Sequence, residues 1–393
     1  MLAVIETHPI QYHAPVYRAL QRQFAVPVTA IYGSDFSVAG YRDAEFGTTF
    51  AWDADLLSGY TAQFLTRVAD GGARSAEQTS TRGLGRVLRK IGPAVVMLVG
   101  YSPRFHQLAF LQALRTRRPL MLRAETTDHA VARTQVKVWL RDELLRCFYR
   151  RCDRLLYVGE RSGQHFRRLG CPEEKLIFSP YCVDTSPFQV DETARTSLRS
   201  ATRHALGIAA TDKVLLLSGK LVQRKRADLL LKAIKVLPRP LSQRVHVLAL
   251  GSGERQVELE SLARESPPVT VSFLGFQNQW RLSAFYHAAD LLVLPSESSE
   301  TWGLVVNEAL HHGLPCVVSD AVGCGPDLIE CGVTGDVFET GSIDSLAAAL
   351  ERAWPLMGAE RVRTNCRLAV SRYSVEKAAE GIARAYSEVV RDA

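Results

Sequence analysis

Residues 295–320 read PSESSETWGLVVNEALHHGLPCVVSD. The apolar run Leu291–Leu294 ends at Pro295, and a loop rich in Ser and Glu follows. The spacing predicts a helix from about Gly303 to His312, stopped by Gly313 and Pro315. The first backbone N–H groups of that helix, at Gly303, Leu304 and Val305, have no intrahelical acceptor. Together with the helix dipole they suit a phosphate. Glycine at 303 is expected to let a ligand approach the backbone. Glu308 falls one turn inside, on the side of Leu304, where a carboxylate can accept from a ribose diol. Glu300, on the loop, is placed for sugar hydroxyls beyond the phosphates.

Strand and helix patterns alternate outward from this stretch. Before it come Val214–Leu217, Ala227–Val236 (a helix), Val245–Leu250 and Val269–Leu274; after it comes Cys316–Ser319. An earlier series runs Leu2–Ile5, Pro15–Phe24 (a helix), Val26–Tyr32, Ala94–Val99, Leu120–Arg123, Arg154–Val158 and Leu176–Phe178. Such alternation implies parallel sheets covered by helices on both faces. The fold class is α/β, with two doubly wound, Rossmann-like domains. Residues 1–183 form the first and 206–370 the second, with a linker over 184–205 and a final helical segment over 371–393. Within Gln135–Cys152 the residues Val136, Trp139, Leu140, Leu144, Cys147 and Phe148 recur at helical spacing and predict one buried face.

The chain has 393 residues, 47% hydrophobic and 23% charged. That composition excludes disorder, collagen and coiled coil as overall descriptions. No apolar run approaches the ~18–20 residues that span a bilayer. The opening MLAVIETHPI has no basic n-region, so neither a signal peptide nor an anchor is expected. The eight cysteines include no C-x-x-C pair and predict reduced, mostly buried thiols in a cytoplasmic protein. The net charge is +7, and Arg74–Arg154 alone carries 17 Lys and Arg against 6 Asp and Glu. A basic first half implies an anionic partner, such as a membrane surface, or a solvated basic surface. The face bearing Lys137, Arg141, Arg150 and Arg154 is the candidate for peripheral contact with anionic lipid. No nucleic-acid motif is present, and a nucleic-acid partner is not expected.

A second junction with chemistry is Ser218–Arg226, SGKLVQRKR, after the first strand of the second series. Gly219 with Lys220, Arg224, Lys225 and Arg226 suits a diphosphate, because cations beside a leaving diphosphate stabilise the charge that develops. A solvated basic loop is the plainer alternative. Gly251-Ser252-Gly253 ends a strand nearby and lacks the third glycine of a dinucleotide fingerprint.

These residues resemble glycosyltransferase family 4, the glycosyl transferases group 1. Glu300 and Glu308 stand as the family's Glu, seven residues, Glu motif. SGKLVQRKRADLLLKAI, LGCPEEKLIFSPYCVDTSPF and VGCGPDLIECGVTGDVF resemble three further family stretches, in order, from about Asp153 onward. The resemblance implies the GT-B fold, two Rossmann-like domains facing a central cleft, with the final helix crossing back to the first. It implies a retaining, metal-independent transferase with no cofactor besides a nucleotide-sugar co-substrate. UDP is the favoured base, with GDP or ADP as alternatives. It gives Glu300, Lys225 and Lys220 as the catalytic set. Gly219, Gly251, Phe276, Gly303, Leu304, Val305 and Glu308 join them around the donor, Phe276 facing the base.

The first half departs from the family pattern. Its first loop, His8-Pro9-Ile10-Gln11-Tyr12-His13, lacks the family's glycine pair. Ligands of open α/β sheets bind outside the carboxyl ends of strands, so His8, Gln11, Tyr12 and His13 are acceptor-side candidates. Tyr101, in the loop running to His106, and Glu125 and His129, after a middle strand, are the others. The acceptor is a small molecule or a glycan. Asp53-Ala54-Asp55 mimics a metal-binding Asp-x-Asp but reads as a surface loop, and His311-His312 lacks metal-ligand spacing. Two rival readings keep the fold: a nucleotide-sugar epimerase or disaccharide phosphorylase, and a non-catalytic membrane or scaffold protein.

Overall fold

The computed structural model describes residues 1–42, 49–50, 55–128, 134–265 and 269–392. The first sheet has seven strands: β1 (Leu2–Glu6), β2 (Val28–Ser34), β3 (Thr61–Thr66), β4 (Val95–Val99), β5 (Leu120–Ala124), β6 (Arg154–Tyr157) and β7 (Leu176–Phe178). All pair in parallel, in the order β3-β2-β1-β4-β5-β6-β7. The second sheet has six: β8 (Lys213–Ser218), β9 (Val245–Leu250), β10 (Thr270–Gly275), β11 (Leu291–Leu294), β12 (Cys316–Ser319) and β13 (Gly335–Phe338). These too are parallel, in the order β10-β9-β8-β11-β12-β13. Central strands such as LAVIE and VHVLAL are buried along their whole length, because helices cover both faces.

Both sheets reverse direction beside their first strand, between β1 and β4 and between β8 and β11. Such switch points leave a crevice at the carboxyl ends of the strands. Four loops border these crevices: those after β1 and β4, and those after β8 and β11. The helices that cover the sheets include α1 (Ala14–Gln23), α2 (Leu84–Ile91), α3 (Arg104–Leu114), α4 (Gln135–Arg150), α5 (Glu160–Arg168) and α6 (Leu304–His311). The last helix, α7 (Val375–Asp392), packs along α1 and against β6 and β7. Its Ala378, Ile382, Ala385 and Val389 share a core with Leu2, Val4 and Tyr17.

The two sheets touch through their loops. The Glu160 N–H donates to Asp327 at 2.9 Å, and Arg161 donates to the Ala321 carbonyl at 2.9 Å. The Trp302 ring covers Gly159, where a Cβ would stand 2.2 Å from Cζ3.

One expectation fails. Val136, Trp139, Leu140, Leu144 and Cys147 are exposed, Leu144 by 72%, and Phe148 is only half-buried. The helix instead turns Asp142, Leu145 and Tyr149 inward. The cause is ionic: Arg168 donates to Asp142 at 2.5 and 3.1 Å and to Asp128 at 2.7 Å, while His165 pairs with Asp128 at 2.8 Å. The predicted basic face is also reduced, since Arg141 pairs with Asp128 and Arg154 with Glu388 and Asp392. Lys137 and Arg150 stay exposed. Among the described residues no helix is long and apolar enough to cross a membrane.

Candidate active site

The β8 strand delivers its chain to a junction without side-chain bulk. The Gly219 N–H bonds the Leu250 carbonyl at 2.9 Å, and a Cβ on Gly251 would lie 2.0 Å from the Gly219 oxygen. Only glycine at 251 lets the two strand ends approach this closely. A 3₁₀ turn over Gln223–Lys225 then folds the chain back. The Lys225 ammonium pairs with the Glu300 carboxylate, and it lies 3.9 Å from where a Gly219 Cβ would stand. The Glu297 N–H donates to the Arg224 carbonyl at 2.9 Å, tying the loop after β11 to the loop after β8. Burial pushes the Glu300 carboxyl up, but the Lys225 charge and its hydrogen bond outweigh burial and hold it below the ordinary range. Lys220 is half-buried on the same loop.

Helix α6 starts at Leu304, with Gly303 as its N-cap at φ +101°. Packing and backbone conformation are by themselves enough to require this glycine. A Cβ there would meet Leu294 Cδ2 at 2.9 Å and Val322 Cγ1 at 3.1 Å. Glu308 is 4% exposed. Tyr286 donates its hydroxyl to Glu308 Oε2 at 2.6 Å. Burial nonetheless dominates and pushes the Glu308 carboxyl up to about 7.

A cavity of about 110 Å³ joins these parts. Gly219, Gly251, Phe276, Val305 and Glu308 line it, drawn from four separate stretches of sequence. Lys225, Glu300, Gly303 and Leu304 are not in its lining; the Lys225 ammonium, paired with Glu300, lies next to Gly219, and Gly303 and Leu304 precede Val305 at the helix start. Gln11 and Tyr12 also line it, with Gln279 Nε2 donating to Gln11 Oε1 at 3.3 Å. The first loop therefore does not face the acceptor side as a unit. Its middle reaches the second sheet because Gln11 and Tyr12 are the central residues of the turn before α1, which the His13 N–H closes on the Ile10 carbonyl at 3.0 Å.

His13 lies in a second cavity of about 180 Å³, at the carboxyl ends of β1, β4 and β5. Its Nδ1 meets Glu6 Oε1 at 2.7 Å, and the Tyr17 hydroxyl donates to the same oxygen at 2.5 Å. Burial pushes the Glu6 carboxyl up, but His13 and Tyr17 more than offset it and hold it low. Glu125 lines this cavity; burial raises its carboxyl, which hydrogen-bonds Thr301 and Tyr181. His8 is absent from the lining of both cavities. Its ring lies 4.3 Å from that of Phe36 at a 32° tilt and meets Thr7 Oγ1 at 2.9 Å, and burial lowers its imidazole to about 4. Tyr101 accepts from Arg141 at 3.3 Å and also lines neither cavity. His129, Asp53 and Ala54 fall outside the described residues. Asp55 is exposed and accepts the Leu57 and Ser58 N–H groups.

Sequence reading missed Glu6, Arg123 and Tyr286 in these surroundings. Glu6 and Arg123 carried a signal: a charged residue closing or interrupting an apolar strand is buried where the sheet is covered on both faces. Tyr286 lies within an ordinary helical pattern and carried none.

Two parallel sheets meeting at their switch points are the GT-B architecture, and solved structures of that class superpose on the whole chain. Sucrose-phosphate synthase from Thermosynechococcus elongatus matches at a TM-score of 0.71 and 16% identity, covering 100% of this chain and 99% of that one. The Anabaena protein HepE, solved with UDP and glucose, matches at 0.69 and 16%, covering 99% and 100%. Identities this low speak for the fold alone. Residues 199–356 match the model described as Glycosyl transferases group 1, and residues 61–182 match the Glycosyl transferase 4-like domain. The chain belongs to the glycosyl transferases group 1, family 4 of the GT-B glycosyltransferases. The D-inositol 3-phosphate glycosyltransferase of Mycobacterium marinum is 34% identical over 191 residues, which are 46% of this chain and 40% of that protein. Its Mycobacterium leprae counterpart is 29% identical over 221 residues, 54% of this chain and 50% of that protein. The match thus spans half or less of these relatives' length.

Proposed function

We propose that the chain transfers a sugar from a nucleoside diphosphate donor to a hydroxyl acceptor, with retention at the anomeric carbon. One observation carries this reading: the buried Glu308 lines a cavity with Gly219 and Gly251 at the switch point of the second sheet, and Lys225, paired with Glu300, lies next to that Gly219. Glu308 holds the ribose diol. Phe276 meets the base. Lys225, Lys220 and the N–H groups of Gly303, Leu304 and Val305 take the diphosphate charge, so that no metal is required. Glu300, kept ionised by Lys225, orients the donor sugar. The leaving diphosphate draws the proton from the acceptor hydroxyl as the new glycosidic bond forms on the face that the diphosphate leaves. Closure of the two domains over the site excludes water and keeps donor hydrolysis slow. UDP is the favoured nucleotide, as in the HepE complex; GDP and ADP are the alternatives.

We further propose a cytoplasmic location with peripheral contact to an anionic membrane. Leu108, Leu111, Val136, Val138, Trp139, Leu140 and Leu144 are exposed on α3 and α4, which meet through the rings of Phe110 and Phe148 at 4.0 Å. Exposed Arg104, Arg115, Lys137 and Arg150 on and just beyond the same helices give this surface a positive charge that fits anionic lipid.

The test is a product assay with UDP-, GDP- and ADP-sugars against an array of polyols and glycans, the anomeric configuration read by NMR. The expected product keeps the donor's configuration. An inverted product refutes retention. Donor consumed with phosphate or water alone favours the phosphorylase or epimerase. Unchanged turnover and donor binding in Glu300→Ala and Glu308→Ala favour the scaffold reading.

A further inference from the structure

Glu6, His13 and His106 line the 180 Å³ cavity of the first sheet, and each carries a buried side-chain atom with no hydrogen-bond partner: Glu6 Oε2, His13 Nε2 and His106 Nε2. Their residues are 2%, 3% and 5% exposed, so water around the protein does not satisfy them. The chemistry of two of them is fixed by their other ends. His106 Nδ1 lies 2.9 Å from the Ser102 carbonyl, which only accepts, so Nδ1 carries the hydrogen and Nε2 of the neutral ring is a bare acceptor. Glu6 Oε1 takes hydrogen bonds from His13 and Tyr17, leaving Oε2 as a carboxylate acceptor. Glu125 adds a second carboxyl to the lining. The one guanidinium in the described lining, Arg123, is turned in part toward the backbone. It donates to Ser179 at 3.1 Å and to the Pro180 carbonyl at 2.7 Å, and it lies over the Tyr181 ring at 5.3 Å.

Buried acceptors such as Glu6 Oε2 and His106 Nε2 select a ligand that brings donors, and the Glu6 carboxylate repels one that brings negative charge. We propose that this cavity is a subsite for the vicinal hydroxyls of an uncharged polyol or sugar, with Glu6 and His106 accepting from them, and that it rejects a phosphate. The inference rests on the glycosyltransferase reading and deepens it, since it names the class of acceptor. It also separates this chain from relatives named for inositol 3-phosphate. Thr301, beside Glu300, bonds Glu125, so a polyol seated here would have its outer hydroxyl beside the donor sugar.

The experiment uses the full chain, saturated with UDP and labelled with ¹⁵N in its histidine rings. Glycerol, myo-inositol and glucose are titrated in turn, and inorganic phosphate at matched ionic strength. The neutral polyols are expected to move the Nε2 resonances of His13 and His106 saturably, and phosphate to leave them in place. His106→Ala should weaken the strongest polyol about tenfold, and His106→Gln, whose amide oxygen can still accept, should recover most of that loss. UDP titration of both variants checks that they fold. The proposal is overturned if phosphate moves these resonances, if none of the three polyols does, or if His106→Ala binds the strongest polyol like wild type. Failure of the wild type to bind UDP would instead strike the donor-site reading, and is read separately.

Discussion

Replacing Glu308 by glutamine should make the nucleotide-free protein more stable and a worse nucleotide binder at once. In the folded chain burial pushes this carboxyl to about 7, against an ordinary value of 4.5. Each pH unit of displacement corresponds to about 1.4 kcal/mol. The sign follows from proton counting. Between 4.5 and 7 the folded state keeps a proton that the unfolded chain has released, so stability falls as pH rises through that window. At pH 8 wild type bears the whole cost of a buried carboxylate, about 3 kcal/mol, and below pH 4.5 it bears none. Glutamine has the same shape and can still accept from Tyr286, but it does not ionise. Urea unfolding of wild type and Glu308→Gln, without nucleotide, should show a difference that grows from near zero at pH 4 to about 3 kcal/mol at pH 8. Nucleotide affinity should move the other way, weakening roughly 10- to 100-fold, because hydrogen bonds from a ribose diol to a carboxylate are the stronger kind. A stability difference that does not vary with pH would refute the argument, since it would mean that Glu308 titrates as an ordinary surface carboxyl.

Tyr286→Phe removes a donor from Glu308, so the pH midpoint of nucleotide binding should rise above that of wild type, as followed by calorimetry. Lys225→Met leaves the buried Glu300 without its cation. Wild-type Glu300 is held low, so its pairing adds stability above pH 4.5 and loses it as pH falls through its folded value; the variant should lose roughly 2–3 kcal/mol at pH 8 and less at pH 4 in denaturant unfolding. Gly303→Ala meets both a positive φ and a 2.9 Å contact, and should cost about 2 kcal/mol or more by the same measurement. Replacing Trp139 and Leu144 by serine should cut co-sedimentation with vesicles of phosphatidylcholine and phosphatidylglycerol about 10-fold or more, while wild type binds and is released by high salt.

The second half of the chain was the more legible. Its strands are short apolar runs bounded by glycine and proline, and its chemistry is local: Glu300, Gly303 and Glu308 lie within one loop and helix start. Strands β3 and β13 were not foreseen. TAQFLT lies at a sheet edge and is half-exposed, while GDVF is four residues with a charge inside, so neither gives a clean apolar run. The face of α4 was misread because periodicity alone reports which side is apolar, not which side is buried. An aspartate bound to Arg168 settled the rotation of that helix, and no local pattern announces a partner 26 residues away. The split of the first loop was likewise invisible. Gln11 and His13 are two residues apart, and only the fold sends one to each cavity.

The most direct measurement is a calorimetric titration with UDP, GDP and ADP and their glucose conjugates, in wild type and in Glu308→Ala. One nucleotide should bind selectively, and the variant should lose most of that affinity while keeping a cooperative melt. Binding by none of them, or binding equal in the variant, would contradict the claim that the cavity between Gly219, Gly251 and Glu308 holds the donor.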